Sequence, residues 1–281
     1  MLEEVLEHPF SKYLRPATIP HIWCPGCGNG IVLNCFVHAL DELKVDLDKL
    51  ITVSGIGCIG RAAGYLNTDS FHTTHGRSLA FASGVKLANP ELNVVVLSGD
   101  GDLFAIGGNH FIHAARRNMG IKVICANNFN YGMTGGQFGA TTPTGARTST
   151  TPYGNFEAPF NIPYMIAAAG APFVARWTVL HVRQLLRVMQ RAFQVQGLAF
   201  VEIVSPCPPT FGELNSFENG YSMMEYFRNC SRIDDHADLG TIGLSMRSPD
   251  PIVVGNFVDV KKPTYHEMEQ RLVEETRRRS K

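Results

Sequence analysis

The sequence predicts an α/β protein built on one mainly parallel sheet flanked by helices, with an arm before it and a tail after it. Short apolar runs rich in β-branched residues lie at Val94 to Leu97, Ile121 to Ala126 and Leu198 to Val204, as expected of strands buried on both faces. Segments with apolar residues at helical spacing alternate with them, the order that builds a parallel sheet. The chain has 281 residues and no internal repeat, enough for one large α/β domain.

In chain order, residues 1–22 are mixed and punctuated by Pro9, Pro16 and Pro20, which reads as an extended arm. Cys24-Pro25-Gly26-Cys27-Gly28 follows, and Ile31 to Leu43 has the spacing of a helix. Ile51 to Val53 is a short strand leading into Ser54-Gly55-Ile56-Gly57-Cys58-Ile59-Gly60-Arg61, where dense glycine lets a backbone approach a ligand closely. After a loop, His72-Thr73-Thr74-His75-Gly76-Arg77 introduces a small-residue helix, Ser78 to Ala88, that stops at Asn89-Pro90.

The centre of the chain is a strand, tight turn, helix and strand. The run Val94 to Leu97 ends at Gly99-Asp100-Gly101. Leu103, Ile106, Phe111, Ala115 and Met119 then predict a helix over Leu103 to Met119, ended by Gly120, before the strand Ile121 to Ala126 and the pair Asn127-Asn128. At the carboxyl edge of such a sheet, Asp100 and the Asn pair bring oxygen donors to a helix N-terminus. That suits a divalent cation carrying a diphosphate, since the hard metal takes oxygens and the amides take phosphate.

Gly135 to Pro163 is long and rich in Gly, Thr and Pro, and a loop of that length is usually functional or bound to a partner. Ala167 to Ala169 belong to a short helix, Phe173 to Arg176 to a strand, and Val179 to Phe193 to an amphipathic helix with Arg183, Arg187 and Arg191 on a solvated face. Leu198 to Val204 ends in Ser205-Pro206-Cys207-Pro208-Pro209, closing a domain over residues 23–209. Residues 210–281 read as a mixed tail with a charged helix near Tyr265 to Arg279.

Formal net charge is zero, so neither nucleic acid nor an anionic membrane is implied as a partner. No apolar run approaches a membrane span and the start lacks a signal peptide, so a soluble cytoplasmic protein is expected. Seven cysteines without a signal peptide argue against a disulfide framework. Cys24, Cys27, Cys58 and Cys207 stand on loops among Gly and Pro, enough for a four-cysteine site holding zinc or iron-sulfur, which spacing alone does not separate. Cys35 and Cys125 lie in apolar patterns and read as packing residues, and Cys230 has no evident place.

Gly99-Asp100-Gly101 followed by Asn127-Asn128 resembles the fingerprint of thiamine diphosphate (ThDP) enzymes. With the CxxC pair, the Cys58 turn, His75-Gly76-Arg77, Asp102, Tyr131-Gly132-Met133-Thr134 and Ser205-Pro206-Cys207, the pattern over residues 20–210 resembles the β subunit of 2-oxoacid:ferredoxin oxidoreductases, of the 2-oxoglutarate type. The resemblance implies a diphosphate-type ThDP module and a 4Fe-4S cluster on Cys24, Cys27, Cys58 and Cys207. It implies Mg2+ on Asp100, Asn128 and the Asn130 carbonyl, and ThDP contacts from Ile56, Gly57, Cys58, Ile59, His75, Gly101, Asp102, Gly132, Met133 and Thr134.

It further implies CoA-dependent oxidative decarboxylation of 2-oxoglutarate to succinyl-CoA, with electrons leaving through the cluster to ferredoxin. His75 is expected to bond cofactor or substrate, and Arg61, or else Arg77, to meet a substrate carboxylate. His72, His110 and His113 read as structural. ThDP enzymes bind the aminopyrimidine ring on a second module, and this chain has length for one, so an alpha subunit in an α2β2 heterotetramer is expected. The same chemistry on pyruvate or a broader range of 2-oxoacids, a non-redox ThDP enzyme with structural zinc, and a zinc-stapled binding module are the other readings.

Overall fold

The computed structural model describes residues 9–245 and 251–281. Eight strands form one sheet: β1 (Leu50–Ser54), β2 (Asp69–His72), β3 (Asn93–Gly99), β4 (Ile121–Asn127), β5 (Phe173–Thr178), β6 (Ala199–Val204), β7 (Ser231–Ile233) and β8 (Ile252–Asp259). Their order across the sheet is β2-β1-β3-β4-β6-β5-β8-β7. The first six run parallel, and β8 joins β5 antiparallel.

The helices are α1 (Asn29–Glu42), α2 (Ala62–Tyr65), α3 (Ser78–Ala88), α4 (Gly108–Arg116), α5 (Ile162–Ala168), α6 (Val182–Gln194), α7 (Gly220–Cys230) and α8 (Tyr265–Arg279). Strand side chains alternate between two cores, because successive residues point to opposite faces. Val95, Leu97, Ile124 and Val201 pack with Phe36 and Leu40 of α1 and Leu185 and Met189 of α6. Val94, Val96, Val123 and Phe200 pack with Leu79 of α3, Phe111 of α4 and Ile166 of α5. Sheet burial on both faces is why these strands read as continuous apolar runs.

Three departures from the sequence reading matter for the site. The helix expected over Leu103 to Met119 is divided: Gly101–Ile106 is a wide π-helical turn, Gly107 follows it, and α4 begins at Gly108. The wide turn lets the side chain of Asp102 reach two neighbouring loops instead of staying on the helix face. Second, β2 has no apolar alternation because it is an exposed edge strand. Third, the segment read as a tail contributes β7 and β8 to the main sheet, with Ile252, Val253 and Val254 buried.

The described part of the expected arm is held at Tyr13 and largely exposed over 16–22, and the residue after it, Trp23, is buried. Tyr13 is buried with its hydroxyl donating to Asp41, and the Trp23 indole donates to the Cys58 carbonyl at 2.7 Å. Among the described residues, no helix is long and apolar enough to cross a membrane.

Candidate active site

The parallel strands end at one edge, and the loops that leave them there converge. Asp102 is the residue that joins them. Its side chain is wholly buried, and Oδ1 accepts from the backbone N–H of Ile56 at 3.0 Å, from that of Gly76 at 2.8 Å, and lies 2.9 Å from Nδ1 of His75. Oδ2 accepts from the hydroxyls of Ser98 at 2.8 Å and Ser78 at 3.3 Å. One carboxylate therefore fastens the loops after β1, β2 and β3. With both oxygens engaged by protein donors, its expected contact with a cofactor becomes one of placement.

Between these loops runs a cleft lined by Ile56, Gly57, Cys58, Ile59, His75, Asp100, Gly101, Asp102, Asn128, Asn130, Gly132, Met133 and Thr134, so the residues expected to face cofactor and magnesium meet in one place. Tyr131 lines it as well, and so does Asn29, to which the sequence reading gave no role. A side-chain carbon at Gly101 would sit 2.4 Å from the Tyr131 ring, so only glycine lets that ring close against the turn.

Asp100 is buried, with its Oδ2 taking the hydroxyl of Thr141 and backbone N–H groups of Asn128 and Gly101 directed at its carboxylate. Burial pushes its carboxyl up to about 6. A cation beside it would favour the charged form, and Asn128 and Asn130 supply neutral oxygen donors at the same cleft, a set that fits a hard divalent ion. Thr141 comes from the loop 135–163, which is well packed: Thr142 donates to the Phe129 carbonyl, and Asn155 donates to the carbonyls of Thr142 and Glu157. Tyr153 and Phe156 of the same loop are 99% and 87% exposed.

The Asn pair divides its work. Asn127 faces inward, donating to Glu202 at 2.7 Å and accepting from Phe129 N–H, while Asn128 lines the cleft. Phe129 between Asn128 and Asn130 is left-handed, with φ +67°, a conformation uncommon for a bulky residue. Glu202 in turn accepts from Arg176 at 2.7 Å on the adjacent strand, both side chains being wholly buried.

Beside the cleft lies a second cavity lined by Cys24, Cys27, Cys58 and Cys207 with Trp23, Arg61 and Pro208. Burial and the neighbouring thiols push Cys27 and Cys58 up to about 11. The Asn29 N–H at the start of α1 is bonded to the Cys27 sulfur, which opposes that rise. Among the described residues no three His, Cys, Asp or Glu side chains form a ready-made site for one metal ion, and the four thiols line one cavity. Cys35 and Cys125 are buried elsewhere in the core, and Cys230 ends α7.

The two cavities share a wall of Cys58, Asn128, Gly132 and Met133. Gly132 is so close to Cys207 that a side-chain carbon there would lie 3.1 Å from its sulfur. Arg61, expected beside the substrate, is exposed and lines the cysteine cavity instead, because the turn after Cys58 carries it past the cleft. Arg77 does not line the cleft either and bonds its neighbour's carbonyl. His72 accompanies the Ser54 hydroxyl, and His110 and His113 sit on α4, away from the cleft.

Residues 55–203 match the thiamine pyrophosphate enzyme C-terminal TPP binding domain, which gives the class of protein this sheet and its loops define. The 2-oxoglutarate synthase subunit KorB of Methanocaldococcus jannaschii is 48% identical over 268 residues, 95% of this chain and 98% of that protein. The KorB subunit of Archaeoglobus fulgidus is 54% identical over 199 residues, 71% of this chain and 74% of that one. A solved structure of 2-oxoglutarate:ferredoxin oxidoreductase from Magnetococcus marinus, with 2-oxoglutarate, coenzyme A and succinyl-CoA bound, superposes with a TM-score of 0.84 at 32% identity, covering 98% of this chain and 92% of that one. The chain belongs to the KorB family, the beta subunits of 2-oxoacid:ferredoxin oxidoreductases.

Proposed function

We propose that this chain is the ThDP- and cluster-binding subunit of an enzyme that converts 2-oxoglutarate and CoA to succinyl-CoA and CO2, passing two electrons to ferredoxin. The observation that carries the reading is the shared wall. A cleft suited to a magnesium-bound diphosphate and a four-cysteine cavity meet across Cys58, Asn128, Gly132 and Met133, which gives electrons released in the cleft a short exit.

In this reading Asp100, the Asn128 side chain and the Asn130 carbonyl hold Mg2+. The backbone of Ile56 to Ile59, Gly101, Gly132, Met133 and Thr134 faces the cofactor, and Cys24, Cys27, Cys58 and Cys207 hold a 4Fe-4S cluster. The cavity's place against the cofactor cleft supports a redox cluster there over structural zinc. ThDP, when bound, supplies the carbon nucleophile and electron sink that decarboxylation needs. The chain's own part is to orient the diphosphate, place His75 and keep cofactor and cluster adjacent.

An alpha subunit carries the aminopyrimidine-binding module and covers the cleft, in an α2β2 assembly. Exposed Ile56 and Met133 at the cleft, and exposed Tyr153 and Phe156 on the loop that supplies Thr141, are apolar surface that such a subunit would bury. No Lys or Arg is among the residues lining the cleft, so the substrate's distal carboxylate would be met from that partner.

Anaerobic purification of the assembled protein tests this, with iron and zinc counted and the dithionite-reduced form examined by electron paramagnetic resonance. Four irons per chain and a reduced-cluster signal are expected. Cys207→Ala should lower the iron content while Cys35→Ala should not, and stoichiometric zinc with no iron would sink the redox reading.

A further inference from the structure

We infer that Asp102 is a positioning residue for His75, holding its imidazole as the Nδ1–H tautomer so that the neutral ring offers Nε2 to the cleft as an acceptor. The argument starts from Oδ1 of Asp102. That atom already takes two backbone N–H groups, from Ile56 at 3.0 Å and Gly76 at 2.8 Å. Backbone amides only donate, so an oxygen facing two of them acts as an acceptor. The third contact, 2.9 Å to Nδ1 of His75, therefore takes its hydrogen from the histidine. Oδ2 is met by two hydroxyls, which rotate to suit it.

The ring is held in place as well as in tautomer. Its edge meets the Tyr131 ring at 6.0 Å and 64°, and turning it over would break the Asp102 contact at a site closed to water. His75 itself is half-buried and lines the cleft, and among the described residues Nε2 has no hydrogen-bond partner. The hydrogen on Nδ1 stays with Asp102 in either charge state of the ring.

The chemical consequence narrows what His75 can do. While neutral it does not donate to the keto oxygen or carboxylates of a 2-oxoacid. It accepts from an N–H, O–H or S–H group of a molecule in the cleft. When that proton moves to Nε2 the ring becomes imidazolium, with Asp102 unchanged in its protonation, and the proton is returned from the same nitrogen. This catalytic consequence rests on the ThDP reading of the cleft, whereas the tautomer itself does not.

The test uses the assembled protein with 15N-labelled histidine, studied by solid-state NMR at alkaline pH, with the His75 signals assigned by their loss in His75→Gln. The expected result is a hydrogen on Nδ1 and none on Nε2. A hydrogen on Nε2 in the parent overturns the inference.

Two variants separate positioning from simple fastening of the loops. In Asp102→Asn the amide oxygen replaces Oδ1 and the amide nitrogen faces Ser78 and Ser98, whose hydroxyls can turn to accept. This variant should keep the tautomer and lose less kcat than Asp102→Ala. Asp102→Ala should release the tautomer and lower kcat about 10²-fold. An Asp102→Asn variant that keeps the tautomer yet loses as much kcat as Asp102→Ala overturns the inference. ThDP affinity, measured by calorimetry on each form, keeps the readings apart: absence of ThDP binding in the parent defeats the proposed function and leaves the tautomer result standing.

Discussion

Asp100 shows how far single residues could be read from sequence. Its place at the end of an apolar strand, with an Asn pair closing the next one, is a local pattern, and Asp100 and the second Asn, Asn128, meet at one cleft. The four loop cysteines were legible for the same reason, since each sits among Gly and Pro at the end of an element and they line one cavity. The hub at Asp102 was not legible, because its five donors come from three stretches of chain, at Ile56, His75 to Ser78 and Ser98. Nor was the left-handed Phe129, a conformation that no bulky residue advertises in sequence. Replacing Asp100 by Ala removes a buried carboxylate that burial alone disfavours, so the variant should stay folded while losing its hold on Mg-ThDP. Calorimetric titration with Mg-ThDP, beside a circular dichroism spectrum, checks both halves. Affinity equal to the parent's would remove Asp100 from the cation site.

At the scale of elements, periodicity found what was periodic. Strand β4 and helices α3 and α8 lie within a residue or so of where the pattern put them. It missed β2, whose exposed edge needs no apolar face, and β8, which joins the sheet far from its neighbours in sequence. It also ran through the division after Ile106, since apolar spacing carries no signal for a π-turn. The strands are fastened by a buried chain that binary patterning does not anticipate: Arg176 of β5 to Glu202 of β6 to Asn127 of β4. Arg176→Met would leave the Glu202 charge buried without its partner, at a cost of about 3–5 kcal/mol. Denaturant melts of the variant should show that loss, and Arg176→Met with Glu202→Gln should recover much of it. A single variant as stable as the parent would mean the pair contributes little.

For the whole molecule, the cleft opens toward solvent beside exposed apolar side chains, a surface that suits a second subunit. This chain purified alone should not turn over 2-oxoglutarate, and adding the alpha subunit should restore turnover, with light scattering reporting two copies of each. Sustained turnover by the single polypeptide would refute the partner requirement. The strip from Gly132 to Met133 belongs to two cavities at once, so an occupant of either one would press on a wall of the other. A ligand that shifts this wall from one side would be felt from the other, and any such coupling is reciprocal. On the proposed function, oxidative loss of the metal centre should carry a second injury, a weaker grip on the organic cofactor next door, and rebuilding the centre should repair both.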